Sequence, residues 1–535
     1  MFLLTFGVLA LPEGVRAMWP PVLALVVVFA THRAGLGLFL GGLAGCLLLA
    51  GGHPPGAAAT WSAEHLWPAF FGTWTLADGA AALPAKWNAW HLGALVFTLL
   101  LGAFAALLER GGGLRVLLRS DGDGPLAATQ RRFLTSVFGL GLLCFFDGLA
   151  NALMVGRVAR PIADRIRIPR AFLAYLVDTT SSAVACVAFI STWISVQLTL
   201  IADGSASLGL DTPAYLLFLQ SIPRNYYCLF ALFLAFIAVR RNWRIGPMAR
   251  REAAPPGEDA PGSADAPGRL WRALVPLVVL VLGIPLFYYF LHRGEGVPPP
   301  FPVTAAKIQA ALGSNSGPAA FVTGSLLALL AAAALFPPAQ WRLVPRTALR
   351  GAAQLLPALG VLVLAWILGS VLGALGTAGQ IANMLGNGVP IRAFPAAVFL
   401  FGCLTSFVSG TSWGTMALLM PLALPTLGPM AVAQDAPPEV VAQIAPAVIA
   451  AVFGGAVFGD HCSPFSDTTI VSALACGITT TEHTVTQLPY ALIAAGTALA
   501  AGFLADALGL SHWLALGAGL LVLAALGWRR GGLGP

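Results

Sequence analysis

Apolar runs of bilayer length recur from one end of the chain to the other, and the polar positions that interrupt them are few and clustered. A run of roughly 20 apolar residues is what one helix needs to cross the hydrocarbon core. Runs at 18–31, 35–51, 91–109, 171–201, 214–239, 272–291, 318–336, 352–375, 440–477, 488–509 and 511–528 predict about eleven spans, with residues 1–12 left unassigned. Two further runs, 133–156 and 393–428, are broken in the middle by Phe146-Asp147-Gly148 and by Ser409-Gly410-Thr411-Ser412.

The arginines say how those two runs behave. Arg115, Arg119, Arg131 and Arg132 precede 133–156, and Arg157, Arg160, Arg165, Arg167 and Arg170 follow it. A single crossing would leave one Arg-rich loop outside, against the positive-inside rule. A re-entrant hairpin that enters and leaves on the cytoplasmic side removes the conflict, provided its tip is buried in protein. The run 393–428 reads the same way from the outer face. The pattern predicts an all-α polytopic membrane protein with two re-entrant hairpins and two broken transmembrane helices.

Each half reads as span, hairpin, broken span and span. Asn151-Ala-Leu-Met-Val-Gly-Arg-Val-Ala-Arg-Pro161 lines up with Thr411-Ser-Trp-Gly-Thr-Met-Ala-Leu-Leu-Met-Pro421, and Asp178-Thr-Thr-Ser181 with Asp460-His-Cys-Ser463. The first half starts outside and the second inside, so the repeats are inverted, the construction of secondary transporters. The expected divisions are 1–90 (first spans and a Trp-rich outer segment with Trp61, Trp67, Trp74, Trp87 and Trp90), 91–239 (first repeat), 240–351 (linker and connecting spans), 352–509 (second repeat) and 510–535 (last span and tail). The span 171–201 is expected to end in an outer loop carrying Asp203 and Asp211. Residues 252–268, rich in Pro, Gly, Ala and acids, read as a disordered cytoplasmic linker.

Composition narrows the class. The chain has 535 residues, of which only 10% are charged, and a mean hydropathy of +0.83, which excludes a soluble protein. The basic balance is almost all arginine in connecting segments, with Lys86 and Lys307 the only lysines. It serves topology and the lipid bilayer rather than nucleic acid. Seven cysteines, scattered through apolar runs, make no disulfide framework. The N-terminus lacks the basic region of a cleaved signal.

The candidate chemistry lies in Gly454-Gly-Ala-Val-Phe-Gly-Asp460-His461-Cys-Ser463-Pro464-Phe-Ser466-Asp467-Thr468-Thr469. Carboxylates at bilayer depth cost about 2.5–3.5 kcal/mol on insertion scales and face a partner or a watery cavity. Pro464 removes a backbone donor, and free carbonyls, hydroxyls and carboxylates around an unwound turn suit a small hard cation. Four clusters are expected to converge: Asp147 with Asn151; Asp178 with Thr179 and Ser181; Ser409, Thr411 and Ser412; and Asp460, His461, Ser463, Ser466, Asp467 and Thr468. Carboxylates sharing one dry cavity cannot all stay ionised, which lets a site trade a proton for a cation. The hydroxyls also have a plainer use, bonding their own helix. Trp413 reads as packing, and Glu482-His483 as a solvated loop. A serine hydrolase built on Ser463 or Ser466 is the competing class, but no oxyanion-hole pattern accompanies it. His461-Cys462 is too sparse for zinc.

Phe458-Gly-Asp-His-Cys-Ser-Pro-Phe-Ser-Asp-Thr-Thr-Ile470, followed by Thr486-Gln-Leu-Pro-Tyr-Ala-Leu492, resembles the signature of the NhaC family of Na⁺/H⁺ antiporters. Gly410-Thr-Ser-Trp-Gly-Thr-Met416 resembles a second family motif, and Pro161-Ile-Ala-Asp164 with Leu173-Ala-Tyr-Leu-Val-Asp-Thr179 a third. The likeness covers roughly 90–495. It implies an ion-transporter fold in a bacterial inner membrane, exchange of Na⁺ for H⁺ with no cofactor, and Na⁺ at Asp178, Asp460 and Asp467. It also implies, in some members, antiport of a small organic acid or amino acid. A homodimer is one assembly left open. Where the family reads Asp-Asp-Tyr-x-Asn, this chain has Asp147-Gly148-Leu149-Ala150-Asn151, one carboxylate and one phenol fewer.

Overall fold

The computed structural model describes residues 2–31, 33–71, 88–112, 126–210, 212–252, 269–291, 301, 303–304, 307, 311, 317–377, 380, 388–464 and 466–530. Among them no strand occurs. The helices are α1 (Phe2–Val8), α2 (Glu13–Thr31), α3 (Ala34–Leu49), α4 (Pro54–Ala59), α5 (Trp67–Phe71), α6 (Ala89–Gly111), α7 (Leu126–Leu143), α8 (Gly148–Arg165), α9 (Arg170–Val187) and α10 (Thr192–Ser207). Then follow α11 (Ala214–Ser221), α12 (Tyr226–Arg241), α13 (Trp271–Leu291), α14 (Gly317–Ala334), α15 (Val344–Gln354), α16 (Leu356–Ala374), α17 (Phe394–Ser409), α18 (Ser412–Ala433) and α19 (Pro438–Cys462). The last are α20 (Asp467–Cys476), α21 (Thr480–Thr497), α22 (Leu504–Ala507) and α23 (His512–Arg530). By length and apolarity, seven of the described helices can cross a bilayer, or nine when two bent pairs count as one span each. That count takes both arms of the second hairpin as crossings. It leaves out shorter apolar helices such as Gly35–Leu49 and Pro318–Ala334, which the expected eleven include.

Both expected hairpins are present, and each is tied at its feet by a glutamine. In the first (α7 and α8), Gln130 Nε2 donates to the carbonyls of Ile166 (2.8 Å) and Arg167 (3.1 Å). In the second (α17 and α18), Gln434 Nε2 donates to Val389 O (2.9 Å) while its Oε1 accepts from Ile391 N (2.9 Å). Each hairpin therefore returns to the end of the molecule where it began. The tips fall between α7 and α8 and at Gly410–Thr411, as the polar interruptions predict. Gly410 has φ +65°, a left-handed conformation that a side chain would resist.

Both broken spans are present too, but their breaks are not equivalent. The second breaks at residues 463–466, beside Asp460, whereas the first breaks at 188–191, leaving Asp178 in mid-helix. Asp203 lies on α10, not in a loop, and Asp211 lies outside the described residues. A third interruption, unexpected from the sequence, bends 214–239 by 47° between α11 and α12. Pro223 weakens the helix there, and Asn225 caps α12 by accepting from Cys228 N (3.3 Å). The division at 351/352 falls inside α15. The linker at 253–268, Trp74, Trp87 and the Trp90 side chain lie outside the description.

α9 and α19 form the centre. Every residue from Ala171 to Cys186 is buried, as is most of α19. Glycines let the neighbours approach: a Cβ on Gly455 would sit 2.8 Å from the Phe399 carbonyl of α17. Such contacts replace the hydrophobic drive that lipid cannot supply. Asp164 and Arg170 form a bidentate pair (2.8 and 2.9 Å) that locks the end of the first hairpin to the start of α9.

Candidate functional site

Asp178 is fully buried in α9. Its Oδ2 accepts from Gln487 Nε2 of α21 (2.8 Å), and His483 Nε2 lies 3.3 Å from the same oxygen, within ion-pair range but outside hydrogen-bonding geometry. Its Oδ1 accepts from Ser472 Oγ of α20 (3.3 Å). Two other helices, α20 and α21, thus supply donors to one carboxylate. Of the neighbouring hydroxyls, Ser181 donates to the Asp178 carbonyl (2.8 Å), the plain helix-bonding use. Thr179 Oγ1 is buried with no hydrogen-bond partner.

Asp460 occupies the last turn of α19 and is 1% exposed. Its Oδ1 accepts from Ser466 Oγ (2.8 Å), and Thr469 Oγ1 donates to its backbone carbonyl. Ser466 is the N-cap residue of α20, yet its side chain caps nothing there. An N-cap serine ordinarily accepts from the helix and stabilises it by about 1 kcal/mol. Here the hydroxyl is turned to the carboxylate instead, with Thr468 Oγ1 at 3.3 Å. Ser463 is buried at the C-cap of α19, its amide donating to Gly459 O (2.7 Å). Asp467 opens α20 and Ser409 ends α17; their side chains lie outside the described residues.

His461 joins the two halves. Its Nδ1 is 2.7 Å from Tyr227 Oη of α12, and its Nε2 is 2.9 Å from Ser182 Oγ of α9. Ser182 also lies 3.2 Å from the Asp178 carbonyl, which can only accept. One hydrogen placement satisfies all three contacts: Tyr227 donates to Nδ1, Nε2–H donates to Ser182, and Ser182 donates to the carbonyl. In that placement the imidazole is neutral, and the chain runs from the broken helix α19 to the Asp178 turn. Ser466 bonds Asp460 rather than His461, so no Ser-His-Asp triad forms among the described contacts. Against this chain lies a cavity of about 10 Å³, lined by Tyr175, Thr179, His461, Gln487 and Tyr490 among others. That is room for one water-sized guest. Tyr175 Oη, Thr179 Oγ1 and Gln487 Oε1 are buried oxygens without a hydrogen-bond partner.

The hairpin tips sit beside this centre. Asp147 Oδ2 accepts from Thr192 Oγ1 at the start of α10 (2.9 Å). Asn151 Nδ2 donates to Gly141 O (2.8 Å) and Thr180 O (2.9 Å), so it splices the hairpin arms to α9. In the second tip, Thr411 Oγ1 accepts from Gly414 N (3.1 Å), capping α18, and Ser412 is buried. Trp413 packs as expected, 6.2 Å between ring centroids from Trp193 of α10.

The predicted residues therefore gather in two connected groups, one at Asp178, Asp460 and His461 and one at Asp147 and the tips. His483 is corrected: it is fully buried against Asp178, because α21 begins at Thr480 and turns that residue inward. Sequence reasoning missed Thr192, Tyr227, Ser472 and Gln487. Gln487 lies within the run Thr486–Leu492; Tyr227 sits in an apolar span with no local sign of its role.

The Na⁺/H⁺ antiporter family matches residues 184–505. An uncharacterised protein of Haemophilus influenzae is 27% identical over 504 residues, spanning 92% of this chain and 91% of that protein. Among solved structures, the YdaH transporter of Alcanivorax borkumensis, described as having an unusual topology, is similar with a TM-score of 0.51 at 18% identity, over 78% of this chain and 86% of its own. That likeness concerns the fold alone. The helical, hairpin-bearing architecture and the family match agree: the chain belongs to the Na⁺/H⁺ antiporter family and is a multi-pass membrane transporter, not an enzyme.

Proposed function

We propose that the protein exchanges Na⁺ for H⁺ by alternating access in a bacterial inner membrane, as an antiporter of the NhaC kind, with its two halves acting as inverted repeats. One observation carries the reading. Asp178 and Asp460, one from each broken helix, are both buried, and His461, the neighbour of Asp460, bonds Ser182 in the turn of Asp178. A lone ionised carboxylate is costly there, and either a proton or a small cation neutralises it. Competition for the same carboxylates couples the two fluxes. Tyr175, Thr179 and Gln487 add neutral oxygens of the kind Na⁺ accepts in place of water. His461, with Tyr227 and Ser182, offers a route for the proton.

In proteoliposomes without ATP, adding Na⁺ or Li⁺ dissipates an imposed pH gradient. The reading is abandoned if neither ion acts. A second reading, Na⁺- and H⁺-coupled antiport of a small organic acid or amino acid, is favoured by one feature. A cavity of about 410 Å³, bordered by His65, His91, Asp203, Trp366 and Ser370, is large enough for such a solute. Dissipation that requires a dicarboxylate or an amino acid selects it.

A further inference from the structure

A second cavity, of about 280 Å³, lies away from the carboxylate network, close to the feet of the second hairpin. Arg392, three residues from the foot-clamped Val389, borders it, as do Arg224 at the bend before α12, Gln443 of α19, and Ser511 and His512 at the start of α23. Among the described residues neither arginine forms an ion pair. Arg224 spends one nitrogen on the Gln220 carbonyl (3.0 Å), and Arg392 is exposed. Asp506 is the one acid on the wall, and it stands against two guanidiniums. The first turns of α17 and α23 also open here, adding the partial positive charge of two helix N-termini. Two guanidiniums without an ion-pair partner around a polar hollow, faced by a single acid, are suited to a phosphate-class anion, which a guanidinium can grip with two parallel bonds.

The surroundings choose among such anions. Leu508 is 86% exposed, and Trp513 and Leu514 are 62% and 64% exposed, all on the turn that forms the cavity's wall or directly after it. An apolar patch of this kind, with a tryptophan, suits the headgroup level of a bilayer interface. We propose that the cavity binds the phosphodiester headgroup of an acidic phospholipid, its acyl chains lying over Leu508, Trp513 and Leu514. An occupant held by both Arg224 and Arg392 bridges the bend of α12, in the first half of the chain, to the foot of the second hairpin. Lipid would then brace the hairpin against the rest of the bundle. The proposal does not depend on which solute is exchanged.

The test is native mass spectrometry of the purified full-length protein with phosphatidylglycerol, phosphatidylcholine or inorganic phosphate added. The wild type should retain phosphatidylglycerol over phosphatidylcholine. Arg224→Gln and Arg392→Gln should each weaken that retention about fivefold, the factor corresponding to about 1 kcal/mol per cation at a lipid surface. Arg350→Gln, on an exposed position of α15, should not change it. Should Arg224→Gln misfold, Arg392→Gln decides alone, because its exposed side chain makes no described bond within the protein. Equal retention of both lipids, or retention unchanged in Arg392→Gln, overturns the proposal. So does millimolar phosphate that displaces phosphatidylglycerol, which would make this a site for a soluble anion.

Discussion

The two hairpins are held alike and tipped differently. In each, one glutamine bonds the backbone at the opposite foot, Gln130 across the first and Gln434 across the second. At the tips the likeness stops. The first presents Asp147 to Thr192, whereas the second presents, among its described side chains, the capping hydroxyl of Thr411 and the hydroxyl of Ser412, with no carboxylate. The broken helices differ in the opposite sense. The last turn before the break of α19–α20 carries Asp460 and His461, while the last turn before the break of α9–α10 carries no acid or imidazole and its Asp178 sits in mid-helix. Each half thus pairs one charged element with one neutral one, crosswise. The two hairpins and the two breaks carry separate chemistry, so substitutions at one should not match the effects of substitutions at the other.

The bracing of the two carboxylates differs as well. Asp178 depends on Gln487, His483 and Ser472, brought by helices far along the chain. Asp460 is held by Ser466 of its own break and Thr469 in the first turn of α20. The first depends on the whole bundle, and the second on a local turn.

The largest expected effects are at those carboxylates. Asp178→Asn and Asp460→Asn should each lower Na⁺-driven proton flux by more than about 100-fold, the upper end of what losing a ligand-shell partner costs, with thermal stability retained. If only one of the two is essential, the crosswise pairing is wrong and a single half holds the site. Next, Asp147→Asn should cost about 10-fold in flux, while Ser412→Ala at the other tip stays within about twofold. Equal losses would make the tips chemically alike after all.

Gln487→Leu removes a donor from Asp178 and a free oxygen from the cavity, and should raise the half-saturating Na⁺ concentration about 10-fold. Ser466→Ala should raise it less than about threefold, because a local turn lets water replace the hydroxyl. The reverse order would mean that Asp460 contributes more to cation binding than Asp178. Smallest in transport, but visible in melting, are the clamps. Gln130→Ala and Gln434→Ala should each destabilise by about 1–3 kcal/mol, since each leaves backbone groups without a partner. A neutral result for one of them would show that its hairpin is held by packing.

Much of this was legible in the chain. Hydropathy runs, interrupted at Asp147-Gly148, Gly410-Thr411 and Ser463-Pro464, determined the helices, both hairpins and the second break. In lipid, a backbone that leaves the helix must announce itself with glycine, proline or hydroxyls. The arginines settled the return of the first hairpin for an equally simple reason, the cost of moving them across. What the chain could not state is which buried side chains meet. Asp178 and Gln487 are 309 positions apart, and Tyr227 and His461 are 234 apart. Neither pair has a local pattern, since each partner obeys only its own helix period. Even the alignment of Asp178 with Asp460 hid a difference, because one lies beside its break and the other in mid-helix. The packing of α9 and α19 against α12, α20 and α21 decided that, turning His483 from apparent surface into a neighbour of Asp178. It did so because a buried charge must find its donors wherever the bundle brings them.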